Sequence, residues 1–220
     1  MKSKILYLFF SLSALPIFAQ RDTCDCNKNK PLTFPIILVG VGAINALDGT
    51  LDDAIYDFRQ KKISGFRTHV DDYMLYSPLL AAYIMNLSGV KGVHNIPGLS
   101  LYAGTSFLAV SGLTQGMKYV IKKERPDKTA FNSFPSGHSS TAFCLATVFH
   151  KEYRKKSIWY SVAGYSVATA TATLRVVNNR HWFSDVCMGA GLGIFTTEMT
   201  YRLLDKYFKK HQQVKLKPFY

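Results

Sequence analysis

Two histidines in this chain stand where an imidazole could do chemistry. His138 closes the stretch Pro135-Ser136-Gly137-His138, at the mouth of an apolar run through Thr141–Phe149. His181 has Asp185 four residues further on, in RVVNNRHWFSD. Four residues is one helical turn, within which a carboxylate can hold one ring nitrogen. That fixes the tautomer and leaves the other nitrogen as a nucleophile. His138 would then be a second imidazole, placed to protonate a leaving oxygen. Two imidazoles across one phosphate describe a phosphohistidine route that calls for no metal and no cofactor.

A phosphate also needs cations and donors. Lys118, Arg125 and Arg175 put three cations at the ends of apolar segments, where an unpaired charge is costly and an anion is the natural partner. Arginine offers a planar fork for phosphate oxygens, and lysine a compact point charge. The sequence PSGH reads as a helix opening, so free N–H groups and the helix dipole would face an anion. Gly137 lets the backbone come close, and Ser136 adds a hydroxyl. Each piece alone has a plainer reading. A histidine in a helix cap is more often structural, and a His/Asp pair one turn apart is often a surface pair. Lys122, Lys123 and Arg180 read as solvated charges. The three clusters count because they occur together.

The elements that must position these residues can be read from charge and hydropathy. The chain has 220 residues, 48% hydrophobic and 19% charged, which excludes a disordered or collagenous class. Its net charge of +13 implies an anionic partner. The cations gather at segment ends and not along one stripe, which favours a phosphorylated lipid over nucleic acid. Runs without Asp, Glu, Lys or Arg cover 31–47, 73–90, 92–117, 129–150 and 157–174, with a shorter one at 186–197. Their lengths approach the roughly 20 residues of a bilayer-crossing helix, and they are rich in small residues that let helices pack closely. The expected fold is all-α: a polytopic membrane bundle of about five to six apolar helices. Trp159, Tyr160 and Trp182 fall near segment ends, where aromatic belts form. An amphipathic surface helix is expected at Leu51–Phe58, with Leu51, Ala54, Ile55 and Phe58 on its apolar face and a Thr50/Asp53 capping box. A soluble all-α chain stays open, because mean hydropathy is only +0.02.

Residues 1–20 read as a signal peptide or an uncleaved signal anchor, and 21–220 as one domain. Placing Lys151–Lys156 and the lysines at 206, 209, 210, 215 and 217 in the cytoplasm puts the Lys118, Gly137 and Arg175–Phe183 ends together on the periplasmic side. The parity of crossings does not fit a cleaved signal followed by an outward span at 31–47: either the first stretch is uncleaved and is the first span, with 31–47 lying in the surface, or 31–47 is the first span and the first stretch is no signal, or nothing spans and the protein is soluble in the periplasm. Cys24 and Cys26 lie too close for an easy bridge and lack a metal-ligand cluster. Cys144 and Cys187 read as packing residues.

KYVIKKERP, PSGH and RVVNNRHWFSD together resemble the three signature motifs of the type 2 phosphatidic acid phosphatase (PAP2) superfamily. That superfamily includes bacterial class A acid phosphatases and vanadium haloperoxidases. The resemblance implies a PAP2-like domain over 21–220 in which His181 is the nucleophile, Asp185 its orienting partner and His138 the general acid. It implies phosphate binding by Lys118, Arg125, Ser136, Gly137 and Arg175, with no metal. Leu174 departs from the pattern, standing where the family often has a serine. The signal-like start and the spans are similar to bacterial inner-membrane lipid phosphatases working at the periplasmic face. That implies lipid A, at its 4′-phosphate, or undecaprenyl pyrophosphate as substrate. A soluble periplasmic acid phosphatase is the alternative within the family. A non-enzymatic basic protein that binds anionic lipid is the alternative from another class.

Overall fold

The structure, a computed structural model, describes residues 32–215. The expected signal segment, Cys24, Cys26 and Lys217 lie outside the described residues. All regular structure among those residues is helical, as the apolar runs predict. In chain order the helices are α1 (Thr33–Asp48), α2 (Thr50–Ile63), α3 (Val70–Met74), α4 (Ser77–Leu87), α5 (Ile96–Ile121), α6 (Gly137–Tyr153), α7 (Ile158–Val177) and α8 (Phe183–Lys215).

Helix α6 is the central rod. From Ser139 to Tyr153 nearly every side chain is buried. Small residues make that possible: Ser139, Ser140, Ala142 and Ala146 let α5, α7 and α8 close around it. Its start is capped by Ser136, whose Oγ accepts from the Ser139 N–H at 3.4 Å. Gly189 on α8 sets the approach of the two helices there. A β-carbon on Gly189 would sit 2.6 Å from the Ser136 carbonyl oxygen. Thr114 of α5 and Ser140 of α6 share a buried hydroxyl bond at 3.1 Å. Cys144 and Cys187 are buried, as packing residues should be.

The two ends of the bundle differ. At one end Glu152 is buried and takes the His94 N–H at 2.8 Å, His94 Nδ1 at 2.8 Å and the Tyr201 hydroxyl at 3.0 Å. This ties the entry to α5 onto the close of α6 and the middle of α8. At the other end the last turns of α5 and α7 meet the first turns of α6 and α8.

The structure departs from the sequence reading in two respects. By length and composition one helix among the described residues, α5, could cross a membrane. Helices α1 and α2 pass that test only together, and they bend by 79° at Gly49, which has a left-handed φ of 75°. The count of five to six spans is therefore not confirmed among the described residues, where α6–α8 carry Ser, Thr and Gly that meet other helices. Apolar side chains do face outward on α1, α4 and α5, among them Ile44, Leu47, Leu80, Leu87 and Leu108.

Helix α2 also turns a different face inward. Its buried residues are Asp52, Ile55 and Arg59, while Leu51 and Ala54 are exposed. Asp52 and Arg59 go inside because distant groups satisfy them: Arg59 Nε donates to the Val177 carbonyl at 3.1 Å, and Asp52 Oδ1 accepts from Asn45 Nδ2 at 2.8 Å. The Thr50/Asp53 capping box does not form. Gly49 is the cap, and the Leu51 N–H goes to Asn45 Oδ1 at 3.0 Å.

Candidate active site

The residues singled out by spacing converge at the end where four helix termini meet. Helix α7 closes at Asn178, whose N–H reaches the Leu174 carbonyl at 2.8 Å. Asn179 then takes a left-handed φ of 62°, a conformation asparagine tolerates. The Arg180 and His181 N–H groups both return to the Arg175 carbonyl, at 3.0 and 3.3 Å. This tight reversal drops His181 into the interior just before α8. His181 and Asp185 therefore do not share a helical turn: the imidazole precedes the helix and the carboxylate sits in its first turn.

His181 Nδ1 lies 3.6 Å from Asp185 Oδ2, and both side chains are buried. The Ser133 hydroxyl donates to the same Oδ2 and stands 3.5 Å from His181 Nδ1. The Trp182 N–H donates to Oδ2 at 2.9 Å, half of a capping box at the start of α8. The Asp185 carbonyl accepts the Ser136 N–H at 2.9 Å, which locks α8 to the PSGH turn. Burial pushes the His181 imidazole down to about 4, against the pull of Asp185, so it is neutral near pH 7. Burial works against the Asp185 charge, but the bond to His181, the cation of Lys123 and the Ser133 hydroxyl outweigh it and hold the carboxyl below its usual range.

The three expected cations reach this end as well. Lys118 Nζ donates to the Asn132 carbonyl, and Arg125 Nε to the Asn132 side chain at 2.8 Å. A β-carbon on Gly137 would lie 3.9 Å from Lys118 Cε, so the lysine stem runs past the PSGH turn. Arg175 Nη1 meets Asp71 Oδ2 at 2.5 Å and Asp72 Oδ1 at 3.2 Å. Arg175 Nε is buried and has no hydrogen-bond partner among the described residues. His138 is half-buried, and its Nε2 lies 2.9 Å from Asp72 Oδ1. Ser136 is fully buried, with its Oγ accepting the cap bond and a second bond from Ser139 Oγ at 3.0 Å.

Several residues of this end were not singled out from sequence. For Asp71 and Asp72 the only signal in the sequence was their adjacency to the apolar run at 73–90. Ser133 and Asn132 flank PSGH with no motif of their own. Lys123, read as solvated, is three-quarters buried and pairs with Asp52 at 3.0 Å. Arg180 pairs with Asp127 at 3.0 Å. Trp182, read as belonging to an interfacial belt, donates from Nε1 to the Glu124 carbonyl at 2.8 Å and packs by the site. A small cleft lies against α2, lined by Ile55, Tyr56, Pro126, Val176 and Trp182; His181 is the one expected site residue on its wall. Among the described residues no three His, Cys, Asp or Glu side chains gather as a metal-ligand set.

The chain has known relatives. The model of the PAP2 superfamily matches residues 99–209, which contain all three motifs. A lipid A 1-phosphatase from Porphyromonas gingivalis is 42% identical over 232 residues, covering 94% of this chain and 52% of that one. The chain thus spans about half the length of the curated relative it matches. Two crystal structures are similar in fold. Aquifex aeolicus LpxE is 17% identical, with a TM-score of 0.48 over 66% of this chain and 93% of that one. The first transmembrane PAP2 type phosphatidylglycerolphosphate phosphatase from Bacillus subtilis is 23% identical, with a TM-score of 0.49 over 87% of this chain and 99% of that one.

Proposed function

The chain belongs to the PAP2 superfamily, and from that premise we propose that it is a phosphatase acting on a phosphorylated membrane lipid of the lipid A class. The observation that carries this reading is the meeting of three cations and two imidazoles at one end of the bundle. One of those imidazoles is buried, neutral and backed by a carboxylate. The name of the Porphyromonas gingivalis relative moves the proposed position from the 4′- to the 1-phosphate of lipid A. Undecaprenyl pyrophosphate remains the other candidate substrate.

In this mechanism Lys118, Arg125 and Arg175 take the charge of the phosphate oxygens, and the PSGH turn offers backbone N–H groups beside them. His181 presents Nδ1 to Asp185 and Ser133, which leaves Nε2 to attack phosphorus. The P–N bond forms as the P–O bond to the lipid breaks. The departing oxygen takes a proton from His138. Water then attacks the phosphohistidine, returns a proton to His138 and releases phosphate with His181 restored. Asp185 keeps the imidazole oriented and stabilises the positive charge on its ring through both steps.

We place the site at the periplasmic surface of a membrane. The outward apolar side chains on α1, α4 and α5 support membrane association. The soluble periplasmic reading draws on the single clear span among the described residues. Fractionation separates the two: release by osmotic shock without detergent favours the soluble form.

The decisive assay is the mass of lipid A from cells with and without the protein. Loss of one phosphate from the 1-position is the expected result. An unchanged phosphate count would turn the proposal to undecaprenyl pyrophosphate. Activity that survives His181→Ala, or that EDTA abolishes, would overturn the phosphohistidine mechanism.

A further inference from the structure

Lys123 follows directly on the left-handed cap of α5, and its ammonium is turned inward. Nζ lies 3.0 Å from Asp52 Oδ2, 2.8 Å from Ser184 Oγ and 3.3 Å from Asp185 Oδ1. The ring of Trp182 faces the same ammonium at 5.5 Å. The backbone of Lys123 is engaged too, since its carbonyl accepts the Ser133 N–H at 2.9 Å. Asp52, on α2, is saturated around this cation: besides Asn45 it takes the Ser184 N–H at 2.8 Å and the Ser184 hydroxyl at 2.6 Å.

We propose that Lys123, anchored by Asp52, is a positioning residue that keeps Asp185 ionised and aimed at His181. This deepens the phosphatase reading and rests on it. The reason is charge balance. Two buried carboxylates share one ammonium, so the trio carries a single net negative charge. Without the ammonium the same carboxylates would hold two, and a buried pair of like charges takes up a proton instead. Asp185 Oδ1 makes no hydrogen bond among the described residues, and Lys123 is the cation that faces it. The other charged groups around Asp185 are Lys118 from α5, Arg125 from the α5–α6 connection and His181 itself, with Arg175 from α7 acting on His181. The first two bond to Asn132 and Arg175 to Asp71, so none replaces Lys123 at Oδ1.

The test is the pH profile of kcat/KM on a water-soluble short-chain phosphatidic acid, whose own titration is common to every variant. Lys123→Met is expected to move the acid limb upward by about one pH unit or more and to lower kcat at neutral pH about tenfold, with KM little changed. Asp52→Asn removes the competing anion and moves the limb downward. Asp52→Asn with Lys123→Met restores one net negative charge and returns the limb toward that of the wild type. A Lys123→Met limb that coincides with wild type, or a double variant as shifted as the single one, overturns the proposal. If Lys123→Met does not fold, Asp52→Asn alone decides: an unmoved acid limb overturns it. His181→Ala on the same substrate separates the two levels. If it stays active, the phosphatase mechanism fails. If it is inactive while Lys123→Met behaves as wild type, the inference about Lys123 fails alone.

Discussion

The carboxylate of Asp72 closes on His138, with Oδ1 2.9 Å from Nε2. The same oxygen lies 3.2 Å from Arg175 Nη1. An anion of the protein thus sits between two groups proposed to receive a phosphate. Burial opposes the Asp72 charge, but bonds from His69 and His138 outweigh it, so this carboxyl is ionised at neutral pH. An incoming phosphate oxygen has to share or displace it. Asp72→Asn should therefore tighten substrate binding. Because the Asp72 side chain is 39% exposed, the expected drop in KM is modest, about fivefold, and inhibition by orthovanadate should strengthen by a similar factor. Steady-state kinetics and vanadate titration read both. A rise in KM would mean that Asp72 serves mainly to hold Arg175.

Removing the proposed nucleophile should abolish turnover, whereas removing its partner should slow it. His181→Ala is expected to lose activity by about a thousandfold or more, and Asp185→Asn by about a hundredfold. Brief incubation with a 32P-labelled phosphatidic acid followed by alkaline quench should trap label on wild-type protein and none on His181→Ala.

The depressed His181 pKa also predicts how stability changes with pH. The unfolded imidazole titrates near 6.5 and the folded one near 4, so between these values the unfolded chain binds more protons. This contribution is fully present above pH 6.5 and is lost as pH falls toward 4. Wild type should lose several degrees of Tm over that window beyond what His181→Asn loses. Parallel Tm curves for the two proteins would show that His181 titrates normally in the fold.

Packing of α8 on α6 should matter for stability and activity together. Gly189→Ala would put a methyl group 2.6 Å from the Ser136 carbonyl oxygen. We expect destabilisation of about 1–3 kcal/mol by overpacking, and a loss of kcat as α8 carries Asp185 away from His181. Glu152→Gln at the far end is the contrast. It weakens the bonds to His94 and Tyr201 and should lower Tm while leaving kcat/KM unchanged, since Glu152 lies at the opposite end of α6 from His138.

By itself the sequence determined the helical class, the three motifs and the end of the bundle at which they gather. Apolar runs with small residues can satisfy their backbone groups only as packed helices, and cations at the ends of such runs have to collect where the ends meet. The tertiary structure alone decided which charges go inside. Lys123 was indistinguishable from Lys122 along the chain, yet one is three-quarters buried and the other exposed. Asp52 and Arg59 turned α2 over, against its hydrophobic pattern. Their partners lie far along the chain, at Ser184 and Val177. A buried charge is tolerated only when another segment brings the opposite charge or a hydrogen bond to it. No local periodicity carries that information, so the carboxylates at 52, 71 and 72 came into view only with the fold.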